Sequence, residues 1–585
     1  MNLAFRRVGL LAISWYCLGC MLPPVAWMQT RSSPPVAHHT KIASKVKADN
    51  SIFEDITVRA GIHFDLTCGT KEKLYIMDSM CGGVGFIDFD RDGWEDVVLL
   101  NGSTLQKMNA GPSIRLYRNN HDLTFTDVTA QVGIVATGWA MGVAVADYDN
   151  DGFDDLYITF VDHAVLLHND AGKHFTDVTA KAGVGNQGHW GTSAAFGDYD
   201  NDGFVDLYVA NYVDIDLKNL PAFGSSPFCQ YRGIKVSCGP RGLKGGRDRL
   251  FHNNGDGTFT DVTNQSGIDQ NSYYGLGVVW LDYDGDGCQD IYVADDSSPS
   301  MLYKGDCHGH FKDVALEAGV AYSSDGLEQA GMGVDVSDFD RDGWLDIAKT
   351  NFSDDTNNLY RNLGNGQFED VNGSSGFGPV SKPFLGFGLK FFDFDNDGWP
   401  DVLVANGHVN PQVEGKGFGV TYRERNLLFH NLQNGRFEEM GERAGSWLRI
   451  PRVGRGLAIA DIDNDGRMDI LISNLNGSPI LAHNTAVAGH AILLRLIGSK
   501  SNRSAIGARV EVVTSSLTQI DEVRANSSYL SASDLRLHFG TGKYSKIDHI
   551  LVKWPSGTKQ RFDQIKVDQE VTIDESKGIT NEKPF

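Results

Sequence analysis

One nine-residue pattern recurs seven times along this chain of 585 residues, with aspartate at positions 1, 3, 5 and 9 and glycine at position 6. Its aspartates are Asp88, Asp90, Asp92 and Asp96 in the first copy, Asp147, Asp149, Asp151 and Asp155 in the second, and Asp198, Asp200, Asp202 and Asp206 in the third. They continue as Asp282, Asp284, Asp286 and Asp290, then Asp338, Asp340, Asp342 and Asp346. The last two sets are Asp393, Asp395, Asp397 and Asp401, and Asp461, Asp463, Asp465 and Asp469. A loop that converges carboxylates 1, 3 and 5, turns sharply at glycine and closes with position 9 builds an oxygen shell for a hard cation. The carbonyl of position 7 is the expected additional ligand, and its side chains there (Trp94, Phe153, Cys288, Arg467) share no chemistry. An all-oxygen set without histidine or thiolate favours calcium over zinc or copper. Without a cation, four carboxylates within nine residues would repel one another. The pattern predicts about seven calcium ions.

The spacing of the copies predicts the architecture. First aspartates lie 59, 51, 84, 56, 55 and 68 residues apart, the length of supersecondary repeats that bury their apolar faces against neighbours. Each loop lies between short runs rich in Val, Ile, Tyr and Phe, which read as strands. A second hairpin follows, its outgoing strand ending as Leu116-Tyr-Arg-Asn119 or Leu250-Phe-His-Asn253 and its return reading Phe125-Thr-Asp-Val-Thr129 or Phe259-Thr-Asp-Val-Thr263. Four strands per repeat, seven repeats and no helical periodicity predict an all-β, seven-bladed β-propeller. The return motif appears first at Phe53-Glu-Asp-Ile-Thr57 with no partner before it, and the last outgoing strand, Ile480-Leu-Ala-His-Asn484, has none after it. The N-terminal strand is therefore expected to complete the last blade and remove the open edges.

The loops and their Gly-rich preceding strands resemble the FG-GAP (VCBS) repeats of integrin alpha-type propellers. The return motif and Cys238-Gly-Pro-Arg-Gly-Leu243 resemble the cartilage acidic protein family and its bacterial relatives. Ala505-Ile-Gly-Ala-Arg-Val510, Leu537-His-Phe-Gly-Thr-Gly542 and Trp554-Pro-Ser-Gly557 are similar to the ASPIC/UnbV domain that ends those proteins, although the stretch 523–529 lacks an expected glycine. Its own short strands, at 491–497, 508–513, 549–553 and 570–573, predict a small β-sandwich-like domain. The expected organisation is a signal peptide over 1–28, a polar tether over 29–50, the propeller over 51–488 with an insertion at 212–246, the ASPIC/UnbV domain over 489–577 and a tail over 578–585.

Arg6 and Arg7 precede an apolar stretch, the arrangement of a secretory signal. A cleaved signal is the leading reading, with lipid attachment at Cys20 or an uncleaved anchor as alternatives. The protein is thus expected outside the cytoplasm, extracellular, periplasmic or at the cell surface, and to meet a membrane only through this segment. Six cysteines follow, an even number that suits disulfides in an exported chain, and proximity suggests 68–81, 229–238 and 288–307. The net charge of -23 is largely a metal inventory, since the loops hold 28 of the 75 acidic residues. No sustained basic run offers a nucleic-acid face.

Five residues before each first aspartate stands glycine, except at Ser193, which suits crowded inner strands. Eight residues before it, Trp139, Trp190 and Tyr274 occur, with His189, Glu328 and Arg452 nearby. These residues are expected at the channel mouth opposite the loops. Such a ring would suit a glycan, a peptide or another protein, or its aromatics would simply cap the channel. The recurrent Asn101, Asn211, Asn351, Asn406 and Asn474 read as turn formers. The insertion carries Arg232, Lys235, Arg241, Lys244 and Arg247, which would meet an anionic partner or neutralise acids of the propeller itself.

No nucleophile elbow, P-loop or metalloprotease motif is present. The expected function is an exported calcium-binding propeller acting as a binding or adhesion module, with calcium structural. The alternative is an enzyme working at the channel mouth, for which His189, Glu328 and Arg452 are the candidates. That alternative would be carbohydrate-directed or, as the resemblance to bacterial relatives implies, connected with enediyne biosynthesis.

Overall fold

A computed structural model describes residues 51–109, 111–268 and 270–585. The expected signal peptide and tether lie outside the described residues. Among the described residues, seven antiparallel sheets follow one another, six of four strands and the fourth with Gln329–Ala330 added to its second strand, each containing one aspartate loop between its first two strands. The first strands are Val84–Ile87, Ala140–Ala146, Gly191–Gly197, Gly275–Leu281, Val334–Ser337, Gly386–Phe392 and Gly454–Ala460. Each adjoins the next, and the last adjoins the first, so they ring a common axis. The protein is a β-propeller, and the sheets are numbered here as blades 1 to 7.

Burial follows position within a blade. Every residue of Ala140–Ala146 is buried, whereas only Phe175 is buried in the outermost strand Phe175–Asp177. Inner strands are covered on both faces by neighbouring blades, so they are buried throughout and mainly apolar, with Asp335, Lys390 and Arg455 as charged exceptions. The recurrent glycine lets them meet at the axis. A Cβ at Gly333 would lie 2.0 Å from the Phe387 carbonyl oxygen, and one at Gly142 would lie 2.5 Å from that of Thr192.

The return motif also has a local cause. Thr129 donates its hydroxyl to Asp127 at 2.6 Å and accepts the Leu116 amide at 3.0 Å, which pins the fourth strand to the third. Thr57 does the same, bonding to Asp55 at 2.6 Å and accepting the Leu481 amide at 2.8 Å. Phe53–Asp55 thereby pairs antiparallel with Ile480–Asn484, Phe53 opposite Asn484, and completes blade 7.

The C-terminal domain is a pair of four-stranded sheets. One orders Leu537–Gly542, His490–Ile497, Gln569–Asp574 and Gly578–Pro584; the other orders Thr518–Glu522, Arg509–Val513, Lys546–Lys553 and Lys559–Lys566. Ile492, Val510, Ile550 and Val571 share one apolar core. The expected tail over 578–585 is corrected here, because Gly578–Pro584 is an edge strand paired with Gln569–Asp574. Its side chains are mostly polar, and backbone pairing recruits it together with Ile579, which packs against the domain core, and Glu582, which accepts from Gln569 at 3.2 Å.

This domain covers the loop face of the propeller. Arg495 reaches Asp88 at 3.5 Å, Arg509 donates to the Gly343 carbonyl at 2.9 Å, and Arg341 donates to Gln519 at 3.0 Å. Residues 526–533 run up the central channel. Ser528 bridges to Val334 and Ala532 to Gly85, Leu530 donates its amide to Ser193 at 3.2 Å, and Tyr529 donates its hydroxyl to the Met80 carbonyl at 2.5 Å. Ser193, the one exception to the glycine rule, is thus a partner of the plug. Among the described residues, no helix is long and apolar enough to cross a membrane.

Deleting residues 51–60 should prevent folding or lower the melting temperature sharply, since it reopens a closed sheet. Deleting 29–48 should leave melting unchanged. Equal melting of the two deletions by calorimetry would refute closure by the N-terminus.

Candidate functional site

The seven loops share one geometry. Position 6 glycine is left-handed in each, from Gly466 at φ +80° to Gly152 at φ +99°, a conformation that other L-residues rarely adopt. Position 4 is left-handed too, for example Asn150, Arg341 and Asn396. The first aspartate accepts the glycine amide, at 2.7 Å in Asp147 and Asp393. The fifth-position carboxylate accepts the position 7 amide, as Asp151 does from Phe153 at 2.9 Å. The ninth-position carboxylate is the most engaged. Asp401 accepts amides from Phe394 at 3.3 Å and Asn431 at 2.8 Å.

What remains unengaged identifies the ligand chemistry. In six loops one oxygen of the third-position aspartate (Asp90, Asp200, Asp284, Asp340, Asp395, Asp463) is buried without a hydrogen-bond partner, as is Oδ1 of Asp88 and Asp338. Oxygens of Asp88, Asp90 and Asp96 lie within 4.8 Å of one another. Burial first, then neighbouring carboxylates, push Asp147 and Asp198 up to about 8. A basic side chain just before the end of each third strand offsets part of this charge. It is Arg118, His168, His252, Lys304, Arg361, His430 or His483. Its carboxylate partner, Asp155 or Asp206, raises His168 and His252 to about 9. One such cation against four aspartates leaves each loop anionic. Orphaned buried carboxylate oxygens in an oxygen-rich turn fit a hard divalent cation.

The loops are also linked into a belt. Asn169 donates to the Asp154 carbonyl of its own loop at 2.9 Å and to Phe89 in the preceding blade at 2.9 Å. Asn431 does so to Pro400 and Phe339, and Asn484 to Met468 and Phe394. Position 4 reaches forward: Asn150 donates to the Gly203 carbonyl at 2.9 Å, Asn396 to Gly466 at 3.0 Å and Asn464 to Gly93 at 2.9 Å. Blade 4 has Gly305 where the others have asparagine, and there a disulfide ties loop residue Cys288 to Cys307. The repeated Asn was visible in the sequence as a strand-end motif, but its role across blades was not.

At the opposite mouth the expected ring is not an open surface. Trp139 and Trp190 are fully buried in an apolar cluster with Met141, Tyr212, Phe387 and the plug residues Tyr529 and Leu530. They cap the channel because the plug fills it from below and the insertion covers it from above. Tyr274 is half-buried and donates to the Leu243 carbonyl at 2.8 Å. His189, Glu328 and Arg452 each engage a different neighbour: Arg249 at 2.7 Å, Arg241 at 3.4 Å and Asp55 at 3.6 Å. The insertion is stapled by Cys229–Cys238. Its Arg232 and Arg241 pair with Asp354 and Glu328 of the propeller, whereas Lys244 pairs with Asp214 of the insertion itself. Asn351 and Asn474 hold the carbonyls of Thr356 and Ser478 in the turns that follow them, whereas Asn211 and Asn406 reach the carbonyls of Arg247 and Arg425, distant in sequence.

Beneath the insertion lies a cavity of about 160 Å³. Phe228, Tyr231, Phe352 and Asp296, none of them singled out by the repeat alignment, line it together with Tyr212 and Phe387. No regular spacing marks them, since two belong to the insertion and the others to separate blades.

The family profile described as FG-GAP-like repeat matches residues 88–158, 241–293, 282–349, 338–404 and 418–472. The profile described as ASPIC and UnbV matches 498–580. The chain is thus a propeller of FG-GAP-like repeats. It ends in an ASPIC/UnbV domain. Cartilage acidic protein 1 of Mus musculus is 26% identical over 391 residues, 56% of this chain and 58% of its own. That of Xenopus tropicalis is 26% identical over 447 residues, 72% of this chain and 62% of its own. The chain therefore spans about three fifths of each relative. A solved lectin, BP39L from Burkholderia pseudomallei, aligns over 70% of this chain and 97% of its own, with a TM-score of 0.41 and 9% identity. The disulfides Cys68–Cys81, Cys229–Cys238 and Cys288–Cys307 fit an oxidising compartment.

Trp190→Ala should lower unfolding free energy by about 3–5 kcal/mol, the cost of truncating a buried aromatic. Denaturant melts would show it, and a stability change below about 0.5 kcal/mol, typical of exposed sites, would contradict the burial.

Proposed function

We propose that this protein is an exported, calcium-rigidified propeller that acts as a binding or adhesion module through the face opposite its loops. The observation that carries the calcium reading is the set of buried, unpartnered carboxylate oxygens recurring at one position of the loops. A cation supplies the counter-charge those oxygens lack, and the belt of asparagines transmits the fixed loop geometry to both neighbouring blades. Position 1, 3, 5 and 9 aspartates are the side-chain ligands, and the position 7 carbonyl adds to them. Exported calcium concentrations fill even weak loops of this kind. The metal's work here is structural.

The ligand face is the insertion-capped mouth, where the cavity opens. A glycan, peptide or protein bound there would contact a surface held rigid from the other end of each blade. His189, Glu328 and Arg452 serve three separate pairings, so the enzymatic alternative gains no support from their placement. Resemblance to cartilage acidic proteins agrees with a module of the binding type.

Millimolar calcium should raise the melting temperature well above that in EDTA, because each ion that binds only the folded state adds about 2.7 kcal/mol at a hundredfold excess over Kd. Asp395→Ala should remove one ion from the titrated stoichiometry and leave the others. An identical midpoint in calcium and in EDTA would sink the structural-calcium reading.

A further inference from the structure

The cavity under the insertion has an unusual lining for a protein otherwise rich in paired charges. Its walls are Tyr212, Phe228, Tyr231, Phe352 and Phe387, and its only charged lining residue among those described is Asp296. Asp296 is buried, accepting the Tyr212 hydroxyl at 2.5 Å and the Ser297 hydroxyl at 2.9 Å. Two neutral hydroxyls orient this carboxylate without neutralising it. Arg241 is the basic side chain that bears on it, and Arg241 extends to Glu328 instead.

Two of the five rings already carry a guanidinium on one face: Arg232 lies 5.4 Å over Tyr231, where it is held by Asp354, and the other such ring is Phe387. Arg455 lies 3.7 Å over Phe387 and occupies one face of that ring, but its guanidinium is held by the carbonyls of Ser79, Gly407 and Gly454. Tyr231 packs beside Phe352 at 5.8 Å, and His408 backs both at 5.4 and 5.3 Å. Burial depresses His408 to about 3, so that backing group is neutral. Phe228 sits at the rim, 58% exposed, on the stapled hairpin next to Cys229.

We propose that this cavity binds the cationic head of an organic amine, with the aromatic walls facing the ammonium and Asp296 supplying the counter-charge. The proposal rests on the reading of the mouth as the ligand face and names the chemistry that face selects. Electron-rich ring faces around a fixed carboxylate attract alkylammonium groups, and methylated ammonium is favoured because it loses little hydration on entry. A neutral saccharide would leave Asp296 without its complement. The volume of about 160 Å³ is below that of drug-sized pockets, roughly 300–1,000 Å³. It suits a head group rather than a chain of sugars. Burial raises the Asp296 carboxyl, and a cation beside it favours the carboxylate form at a site where water screens little.

The test is calorimetric titration of the full chain in calcium with choline, with acetyl-trimethyllysine amide, and with 3,3-dimethylbutanol as the neutral isostere of choline. Saturable binding of a cation at least about tenfold tighter than the isostere is expected, a difference of about 1.4 kcal/mol. Choline against the lysine derivative distinguishes a small-molecule amine from a peptide side chain. Asp296→Asn should weaken cation binding by about tenfold or more. Phe228→Ala, at an exposed rim position, should weaken it without changing the melting temperature, which covers the case in which the Asn variant misfolds. Equal binding of the neutral isostere overturns the cation proposal and leaves the mouth as a ligand face. No binding of any of the three overturns the cation proposal as well. In that case, binding of a glycan or peptide that Phe228→Ala abolishes would keep the mouth as the ligand face, and a ligand indifferent to Phe228→Ala would move it elsewhere.

Discussion

Everything in this propeller depends on fixing four carboxylates within each nine-residue turn and then tying that turn to its neighbours. Position 1 and position 9 aspartates are buried in every blade, with Asp155, Asp206 and Asp401 fully inaccessible. Burying a carboxylate costs several kcal/mol unless it is paired or bonded. Backbone amides of the loop and of the third strand meet part of that cost, and the basic residue of the third strand meets another part. The remainder falls on oxygens of six third-position aspartates that find no hydrogen-bond partner among the described residues. Because Asn169, Asn431 and Asn484 bond both to their own loop and to the preceding one, a loop that loosens releases contacts in two blades. Stability of the ring is therefore cooperative by construction rather than a sum of independent sheets.

The ASPIC/UnbV domain is the second element of that cooperativity. Arg536 is buried and joins Asp534 at 2.7 Å, Glu570 at 3.1 Å and Asn464 of the seventh loop at 2.6 Å. A buried arginine is tolerable only when its neighbours are acids in good geometry, and removing one partner is strongly destabilising. The segment that leaves this network enters the channel and ends at Tyr529 and Leu530, under the tryptophans of the mouth. One continuous stretch of chain thus connects the loop face to the opposite mouth through the axis. The two faces share a rigid core instead of communicating along the surface.

The loops, the four-strand repeat and closure by Phe53–Asp55 were legible because they depend on local chemistry repeated in register. Disulfide partners were legible from proximity for the same reason, since each bridge spans at most 19 residues. The mouth was not legible in this way. Trp139 and Trp190 occupy repeat positions that suggest an open rim, yet their burial depends on Tyr529 and Leu530, over 300 residues away in sequence. Asp296 and Tyr231 carry no motif, and only the folded insertion brings them to one cavity. The edge strand Gly578–Pro584 escaped because its side chains are mostly polar and exposed, Ile579 alone packing against the core, so backbone pairing carries most of it.

The most direct measure of the account is hydrogen exchange at the amides that the ninth-position aspartates accept, compared in calcium and after chelation. Asn119, Asn169, Asn253, Gly305, Asn362, Asn431 and Asn484 donate these amides. Chelation is expected to lower protection at all seven, in blades that do not touch one another as well as in those that do. Protection unchanged by chelation, or lost in one blade while the rest stay closed, would contradict a cation-held belt.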